Sequence, residues 1–185
     1  MPISACIITF DEADRIGDCL ASLSFCEDIL VVDSGSTDDT CALAMRAGAR
    51  VLVRPFDGYR SQKQFAVEQA IHDWVLCLDA DERVSAELRA QIESARQRGF
   101  VGAAGYRFPR LSEYFGKFLR RGNAYPDEVL RLFDRRRGGW RGDREIHEAA
   151  SVDGKAQTLA GDLIHFPYRS FDQQLRKTQR YAQMM

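Results

Sequence analysis

The sequence predicts an α/β fold: a mostly parallel sheet flanked by helices, closed by one further helix at the C-terminus. Three observations predict it. Over the first hundred of its 185 residues, short apolar runs alternate with stretches of helical periodicity. The run Trp74-Val75-Leu76-Cys77-Leu78 is apolar at every position, the pattern of a strand buried on both faces. Three of the runs then stop at polar or acidic residues, and in an open α/β sheet the carboxyl ends of the strands form the ligand crevice.

Each element follows in order. Ile3–Thr9 reads as the first strand, and Ile16, Leu20 and Leu23 recur at helical spacing behind it. Ile29–Val32 is the second strand and ends at Asp33. The segment Ser34-Gly35-Ser36-Thr37-Asp38-Asp39-Thr40 turns into a helix, with Ser36 and Asp39 spaced as a capping box. Gly48 closes that helix, and Arg50–Val53 is the third strand. Ser61 opens a helix carrying Phe65 and Ala66. Trp74–Leu78 is the fourth strand. Leu88, Ile92 and Ala95 mark the next helix, which Gly99 ends. This alternation implies right-handed crossovers.

Beyond residue 100 the rhythm changes. Ala104–Phe108 and Val129–Phe133 read as strands, separated by the aromatic, basic stretch Tyr114-Phe115-Gly116-Lys117-Phe118. Ala149–Val152 and Gln157–Leu159 flank Asp153-Gly154, a hairpin signal. Ser170 to Met185 reads as an amphipathic helix, with Phe171 and Leu175 on one side and Arg176, Lys177 and Arg180 on the other. A single domain over 1–169 is expected, 1–100 forming one half and 101–169 the other, with 170–185 appended.

Hydrophobic content of 45% and charged content of 29% are ordinary for a soluble globular protein. The net charge of −1 conceals an asymmetry: residues 1–100 carry 10 Lys+Arg against 17 Asp+Glu, whereas residues 101–185 carry 16 against 10. That contrast points to a metal-loving front and a surface for an anionic partner. Nucleic acid is not the partner expected, since no helix-turn-helix, zinc spacing or RNA-binding aromatic motif is present. The five cysteines, never spaced Cys-x-x-Cys, read as reduced thiols of a cytosolic protein. The N-terminus enters a strand without a basic leader, and no stretch approaches the roughly 20 apolar residues that span a bilayer.

The chemistry lies at the strand ends. Asp79 and Asp81 are one residue apart where the fourth strand emerges; two carboxylates so placed repel each other and invite a divalent cation able to bridge nucleotide phosphates. Thr9-Phe10-Asp11-Glu12 and Asp33 end the first two strands, so parallel strands bring all three clusters to one edge of the sheet. Taken singly, an Asp after a strand is usually a helix cap, and an isolated Asp-x-Asp reads as a solvated loop after a core strand. Three clusters on one edge are harder to explain by capping alone.

Ile7-Ile8-Thr9-Phe10-Asp11-Glu12, Val31-Val32-Asp33-Ser34-Gly35-Ser36-Thr37-Asp38 and Leu78-Asp79-Ala80-Asp81-Glu82 resemble the signature of family 2 inverting glycosyltransferases, which have the nucleotide-diphospho-sugar transferase (GT-A) fold. Tyr125-Pro126-Asp127-Glu128-Val129-Leu130-Arg131-Leu132-Phe133, Ile146-His147-Glu148 and Ile164-His165-Phe166 resemble the branch typified by bacterial lipopolysaccharide-core β-1,4-glucosyltransferases. One departure is Phe10-Asp11, where the family more often has Tyr-Asn; the aromatic face is kept and a phenol hydrogen bond is lost. The chain also stops at Met185, where family members are expected to continue.

The resemblance implies a role for each residue. Thr9, Phe10 and Glu12 line the uridine pocket, Asp33 hydrogen-bonds the uracil edge, and Lys63 stands near the nucleotide, against the alternative of a solvated helix lysine. Asp79 contacts ribose or donor sugar, and Asp81 holds Mg²⁺ or Mn²⁺ on the diphosphate. Asp127 is the preferred base and Glu148 its competitor. His147 and His165 are metal or phosphate ligands, or structural. Trp140 belongs to a loop over the sugar, or packs in the core. Arg120-Arg121 and Arg135-Arg136-Arg137 are solvated faces, or attract anionic head groups. The implied activity moves a sugar, glucose in that branch, from a UDP-sugar to a lipid-linked glycan such as lipopolysaccharide inner core, at the cytoplasmic face of the membrane with peripheral attachment. The alternatives are transfer to polyprenyl phosphate or another surface polysaccharide, and a non-catalytic nucleotide-sugar-binding module.

Overall fold

Strand β1 (Ile3–Thr9) is flanked on one side by β2 (Asp28–Asp33) and β3 (Arg50–Val53), and on the other by β4 (Trp74–Asp79), all parallel. The structure is a computed structural model and describes residues 1–140, 149–172 and 174–175. Helices α1 (Ile16–Ser22), α2 (Thr40–Arg46) and α3 (Tyr59–Glu68) make the crossovers. After β4 come β5 (Glu82–Val84), α4 (Ala86–Gln97), β6 (Gly105–Tyr114), β7 (Lys117–Phe118) and β8 (Asp127–Asp134). Then follow β9 (Gly138–Trp140), β10 (Ala150–Val152), β11 (Ala156–Thr158) and β12 (Leu163–His165). The main sheet runs β3-β2-β1-β4-β8-β6-β12-β5, with β11 and β7 also pairing β6.

The apolar strands split their residues between two cores. From β1 and β4, Ile3, Ala5, Ile7, Trp74, Leu76 and Leu78 enter the core under α1 and α4, while Cys6, Val75 and Cys77 enter the one under α3. The period of two is real, and it is invisible in the sequence because both faces are apolar. The same parity aims Asp79, two residues after Cys77, toward α3.

Several boundaries differ from the expectation. No capping box forms at Ser36–Asp39: Asp39 is the N-cap of α2 and makes no side-chain capping bond, because Ser36 is bound to Asp33 and Asp11 instead. Helix α2 does end at Gly48 (φ 85), with Gly48 N–H on Met45 O at 3.0 Å and Ala49 N–H on Ala44 O at 3.1 Å, the two bonds of a Schellman motif. Helix α3 begins at Tyr59, two residues before Ser61. Strand β6 extends through Tyr114 and turns back at Phe115-Gly116, so the aromatic, basic stretch is itself a hairpin. Asp153-Gly154 is not a hairpin: β10 pairs with β9, and β11 runs parallel to β6, so the chain changes partners across Gly154. All five cysteines are free. Among the described residues no helix is long and apolar enough to cross a membrane. Of the helix expected over 170–185, only its first turn lies within the described residues, with Gln174 N–H on Ser170 O at 3.1 Å.

Candidate active site

Strand register brings the sequence-distant clusters together. Thr9 is the partner of Asp33, and Ile8 is the partner of Asp79, so all three motifs emerge side by side at the carboxyl edge. The first two interlock through their loops. Asp33 is fully buried; one oxygen accepts from Gly35 N–H and Ser36 N–H, both at 2.8 Å, and the other from the Ser36 hydroxyl. The Ser36 hydroxyl accepts from Asp11 N–H at 2.8 Å, and Asp11 in turn accepts from Thr37 N–H at 2.8 Å. Gly35 makes this turn possible with φ 94, a conformation costly to residues bearing Cβ. Asp33, expected at the uracil edge, is thus fully buried with both carboxylate oxygens bonded within this turn. Phe10 stands 55% exposed beside this loop, a free aromatic face. Thr9 is buried, and its hydroxyl has no hydrogen-bond partner.

Beside it lies an alternating chain of charges. Lys63 Nζ is 3.0 Å from Asp79, and Arg131 Nη2 is 3.1 Å from Asp79 and 2.8 Å from Glu82. Arg110 Nη1 lies 3.7 Å from Glu82, and its Nη2 lies 2.6 Å from Asp127. Lys63 is buried rather than solvated, with Nζ 4.7 Å from the centre of the Trp140 ring. Trp140 is the last residue of β9 and is buried in the α3-side core. Burial pushes the Asp79 carboxyl up, but Lys63 and Arg131 outweigh it and hold the group well below the usual carboxylate range. Arg131 is likewise held above the ordinary arginine value: burial opposes its charge, and Glu82 and Asp79 prevail.

A β-bulge supplies Arg131. In the β6–β8 ladder Tyr106 is opposite Leu132 and Arg107 is opposite Leu130, which leaves Arg131 as the extra residue. Bulges redirect a side chain next to functional sites, and this one sends a cation toward Asp79. Arg131 keeps Nε and Nη1 buried without hydrogen-bond partners, its guanidinium 5.5 Å from the centre of the Trp140 ring.

Asp81 fits a cation. Its Oδ1 is buried with no hydrogen-bond partner, an expensive state for a carboxylate oxygen unless something positive reaches it. Its Oδ2 lies 3.5 Å from His165 Nε2 and 3.9 Å from Arg15. Ser112 fixes the other ring nitrogen of His165 at 2.9 Å. No group of three or more His, Cys, Asp or Glu converges to hold a metal among the described residues, so a cation bound here needs oxygens from a ligand or water to complete its shell.

Asp127 opens β8 with its side chain 43% exposed, and both bonds from Arg110, at 2.6 and 2.9 Å, fall on Oδ2. Glu148 and His147 lie outside the described residues. Arg135–Arg137 follow the far end of β8, on the edge opposite the carboxylates, and are engaged within the protein. Arg135 bonds the Val67 and Glu68 carbonyls, Arg136 pairs with Asp134 and Asp73, and Arg137 bonds Asp153 O. Arg120 pairs with Asp162 at 3.2 Å.

A clasp that the sequence does not announce joins the two ends of the chain. Arg169 reaches Glu12 at 2.7 Å, Asp14 at 2.9 Å and the Asp11 carbonyl at 2.8 Å. Arg15 donates to Phe166 O at 2.8 Å. Burial pushes Glu12 up to about 7 despite Arg169 and Arg15. A carboxyl raised in the folded state contributes stability below its unfolded value, and loses it as pH rises through the folded one. Thermal stability should therefore decline between about pH 4.5 and pH 7 through this group, and Glu12→Gln should remove that part of the decline. Melting temperatures of both proteins across pH 4–8 decide it; parallel curves would refute the assignment.

Glu82, Arg131, Arg110, Arg15 and Arg169 carry much of this arrangement, and the sequence reading assigned none of them. Arg131 had a signal: it is the one charge within the apolar run Val129–Phe133. Arg169 had none, since its partner Asp14 is 155 residues away.

A model of the glycosyl transferase family 2 domain matches residues 4–151, and the chain belongs to that family. The chain is 34% identical over 188 residues to the lipopolysaccharide core biosynthesis glycosyltransferase LpsC of Rhizobium meliloti, a match covering 98% of this chain and 69% of LpsC. It is 33% identical over 193 residues to an uncharacterized glycosyltransferase of Rickettsia typhi, covering 97% of this chain but 65% of that protein. Among solved structures, S. aureus TarS 1-349 in complex with UDP-GlcNAc superposes with a TM-score of 0.65 at 14% identity, over 92% of this chain and 60% of that one. The fold is GT-A, as the strand-end motifs led us to expect.

Proposed function

We propose that this chain is an inverting glycosyltransferase that moves a sugar, glucose by our reading, from a UDP donor to a lipid-linked glycan such as lipopolysaccharide inner core. The observation that carries it is the charge chain at the carboxyl edge, which runs from a solvent-accessible carboxylate, Asp127, through the buried Glu82 to the half-buried donor-side carboxylate Asp79. LpsC, by its name a lipopolysaccharide core enzyme, supports the acceptor class, and the UDP-GlcNAc bound to TarS supports a UDP-sugar.

In this reading Phe10 stacks on the base and the Thr9 hydroxyl takes a donor or acceptor from the nucleoside. Asp33 shapes the 34–37 turn that borders the uracil edge. Glu12 orders the loop through Arg169. Lys63 and Arg131 keep Asp79 ionised so that it accepts hydroxyl hydrogen bonds from ribose or sugar. Asp81, with His165 beside it, is the residue to hold Mg²⁺ or Mn²⁺. When bound, such an ion neutralises the leaving diphosphate as a Lewis acid. Asp127 Oδ1 takes the proton of the acceptor hydroxyl as its oxygen bonds the anomeric carbon and the bond to the diphosphate breaks on the opposite face. One displacement inverts the centre and needs no protein nucleophile. Anionic lipid is the surface we assign to the acceptor, approached at the Asp127 edge and not at Arg135–Arg137.

The test is UDP release from a panel of sugar nucleotides, with lipopolysaccharide core or polyprenyl phosphate presented in anionic or neutral vesicles. Acceptor-stimulated release with a UDP-sugar is expected, faster on anionic vesicles at low salt. Binding of UDP-sugars without release to any acceptor would favour the nucleotide-sugar-binding module instead.

A further inference from the structure

The β6–β8 bulge does more than present Arg131. Had the ladder continued from Tyr106–Leu132 without an extra residue, Arg110 would stand opposite Glu128. The bulge advances β8 by one residue, so that Asp127 faces Arg110 and Glu128 turns instead to Thr158 at 3.3 Å. Cross-strand partners on one face are close enough to interact, and Arg110 uses that proximity in an unusual way. Its Nε and Nη2 both bond the same Asp127 oxygen, at 2.9 and 2.6 Å. A fork gripping both oxygens would occupy the carboxylate; this one holds Oδ2 alone and leaves Oδ1 without a bond from Arg110, on a side chain that is 43% exposed. The third guanidinium nitrogen points back to Glu82, at 3.7 Å.

Glu82 anchors the arrangement. Its side chain is wholly buried, one oxygen accepts from Arg131 at 2.8 Å, and the other accepts from Asp79 N–H at 3.0 Å. It cannot move without disturbing the residue that contacts the donor. Its strand, β5, is held antiparallel to β12 with Glu82 opposite His165. An isolated exposed ion pair fixes little. Arg110 differs in that its third guanidinium nitrogen lies 3.7 Å from a buried carboxylate, a charge contact that ties its orientation to the donor site.

We propose that Arg110 is a positioning residue for sugar transfer: tethered to Glu82, it holds the Asp127 carboxylate at a fixed place relative to Asp79, so that Oδ1 meets the acceptor hydroxyl in line with the donor. This rests on the assignment of Asp127 as the base. The proposal makes the shifted strand register a functional feature, since a ladder without the bulge offers Arg110 the wrong carboxylate.

The test is a mutant cycle. Arg110 is 27% exposed, so Arg110→Gln should fold, and its melting temperature verifies this. UDP affinity with Mn²⁺, by titration calorimetry, should stay within about twofold of wild type, while kcat for UDP release should fall by as much as roughly 10²-fold, the scale of a 1 Å misplacement. Arg110→Lys keeps the charge without the fork and should recover part of that loss. In an Asp127→Asn background, Arg110→Gln should cost nothing further, because residues acting as a unit are not additive. Wild-type kcat in Arg110→Gln, a UDP affinity reduced as much as kcat, or losses that multiply in the double variant would each overturn the proposal. Wild-type kcat in Asp127→Asn would overturn the base assignment instead, and so separates the two failures.

Discussion

Asp127→Asn is expected to lower turnover by roughly 10²–10⁴ with UDP affinity nearly unchanged, the signature of a lost proton acceptor. The substitution preserves shape and leaves an oxygen for Arg110 to bond. It removes basicity and little else. Asp127 lies at the start of β8, two strands from β1, so a donor site built on the β1, β2 and β4 loops has no reason to weaken. Steady-state kinetics with calorimetry on the same preparations separate kcat from binding. The competing expectation is Glu148→Gln: if that variant loses turnover and Asp127→Asn keeps it, the base is Glu148.

The difference between what the sequence discloses and what it hides is physical. Asp79 and Asp81 were legible because charge directly after five apolar residues violates the pattern of a buried strand. Their grouping with Thr9 and Asp33 was legible because parallel strands share an edge, and the registers Thr9–Asp33 and Ile8–Asp79 express that rule. Helix α4 was legible from Leu88, Ile92 and Ala95, all buried, and Ser85 caps it through Leu88 N–H at 3.1 Å. What failed was local chemistry overruled by distant partners. Ser36 satisfies the spacing of a capping box, yet Asp33 and Asp11 bind it more favourably as part of the loop. Asp153-Gly154 satisfies a hairpin rule, yet β10 and β11 find separate partners because β6 offers β11 a free edge. The charge chain was only half legible. Arg131 stands out as the one charge within Val129–Phe133, but its pairing with Asp79 and Glu82, and that of Arg110 with Asp127, follows a one-residue bulge that the sequence pattern does not mark.

Asp81→Ala is expected to abolish the part of UDP affinity that depends on Mn²⁺ or Mg²⁺, while the protein folds as well as wild type or better. The two halves of this expectation come from one atom. Asp81 Oδ1 is buried without a partner, and an unsatisfied buried acceptor destabilises the fold by about 1–3 kcal/mol. Deleting it relieves that strain, unlike deletion of Asp79 or Glu82, either of which would take a carboxylate partner from the buried Arg131. The neighbouring groups do not replace it: His165 Nε2 is 3.5 Å from Oδ2, and Arg15, at 3.9 Å, repels a cation. Altering a mere outer-shell partner costs a metal site roughly 10–100-fold in affinity, so loss of the direct ligand should cost at least as much. Calorimetry of UDP with and without Mn²⁺, beside melting curves in both conditions, reads the two halves separately. A variant whose UDP affinity still rises with Mn²⁺ as in the wild type would remove Asp81 from the metal site. One that melts well below wild type without metal would show that the Oδ2 contacts with His165 and Arg15 outweigh the cost of the unpartnered oxygen, and the stability half of the expectation would fall.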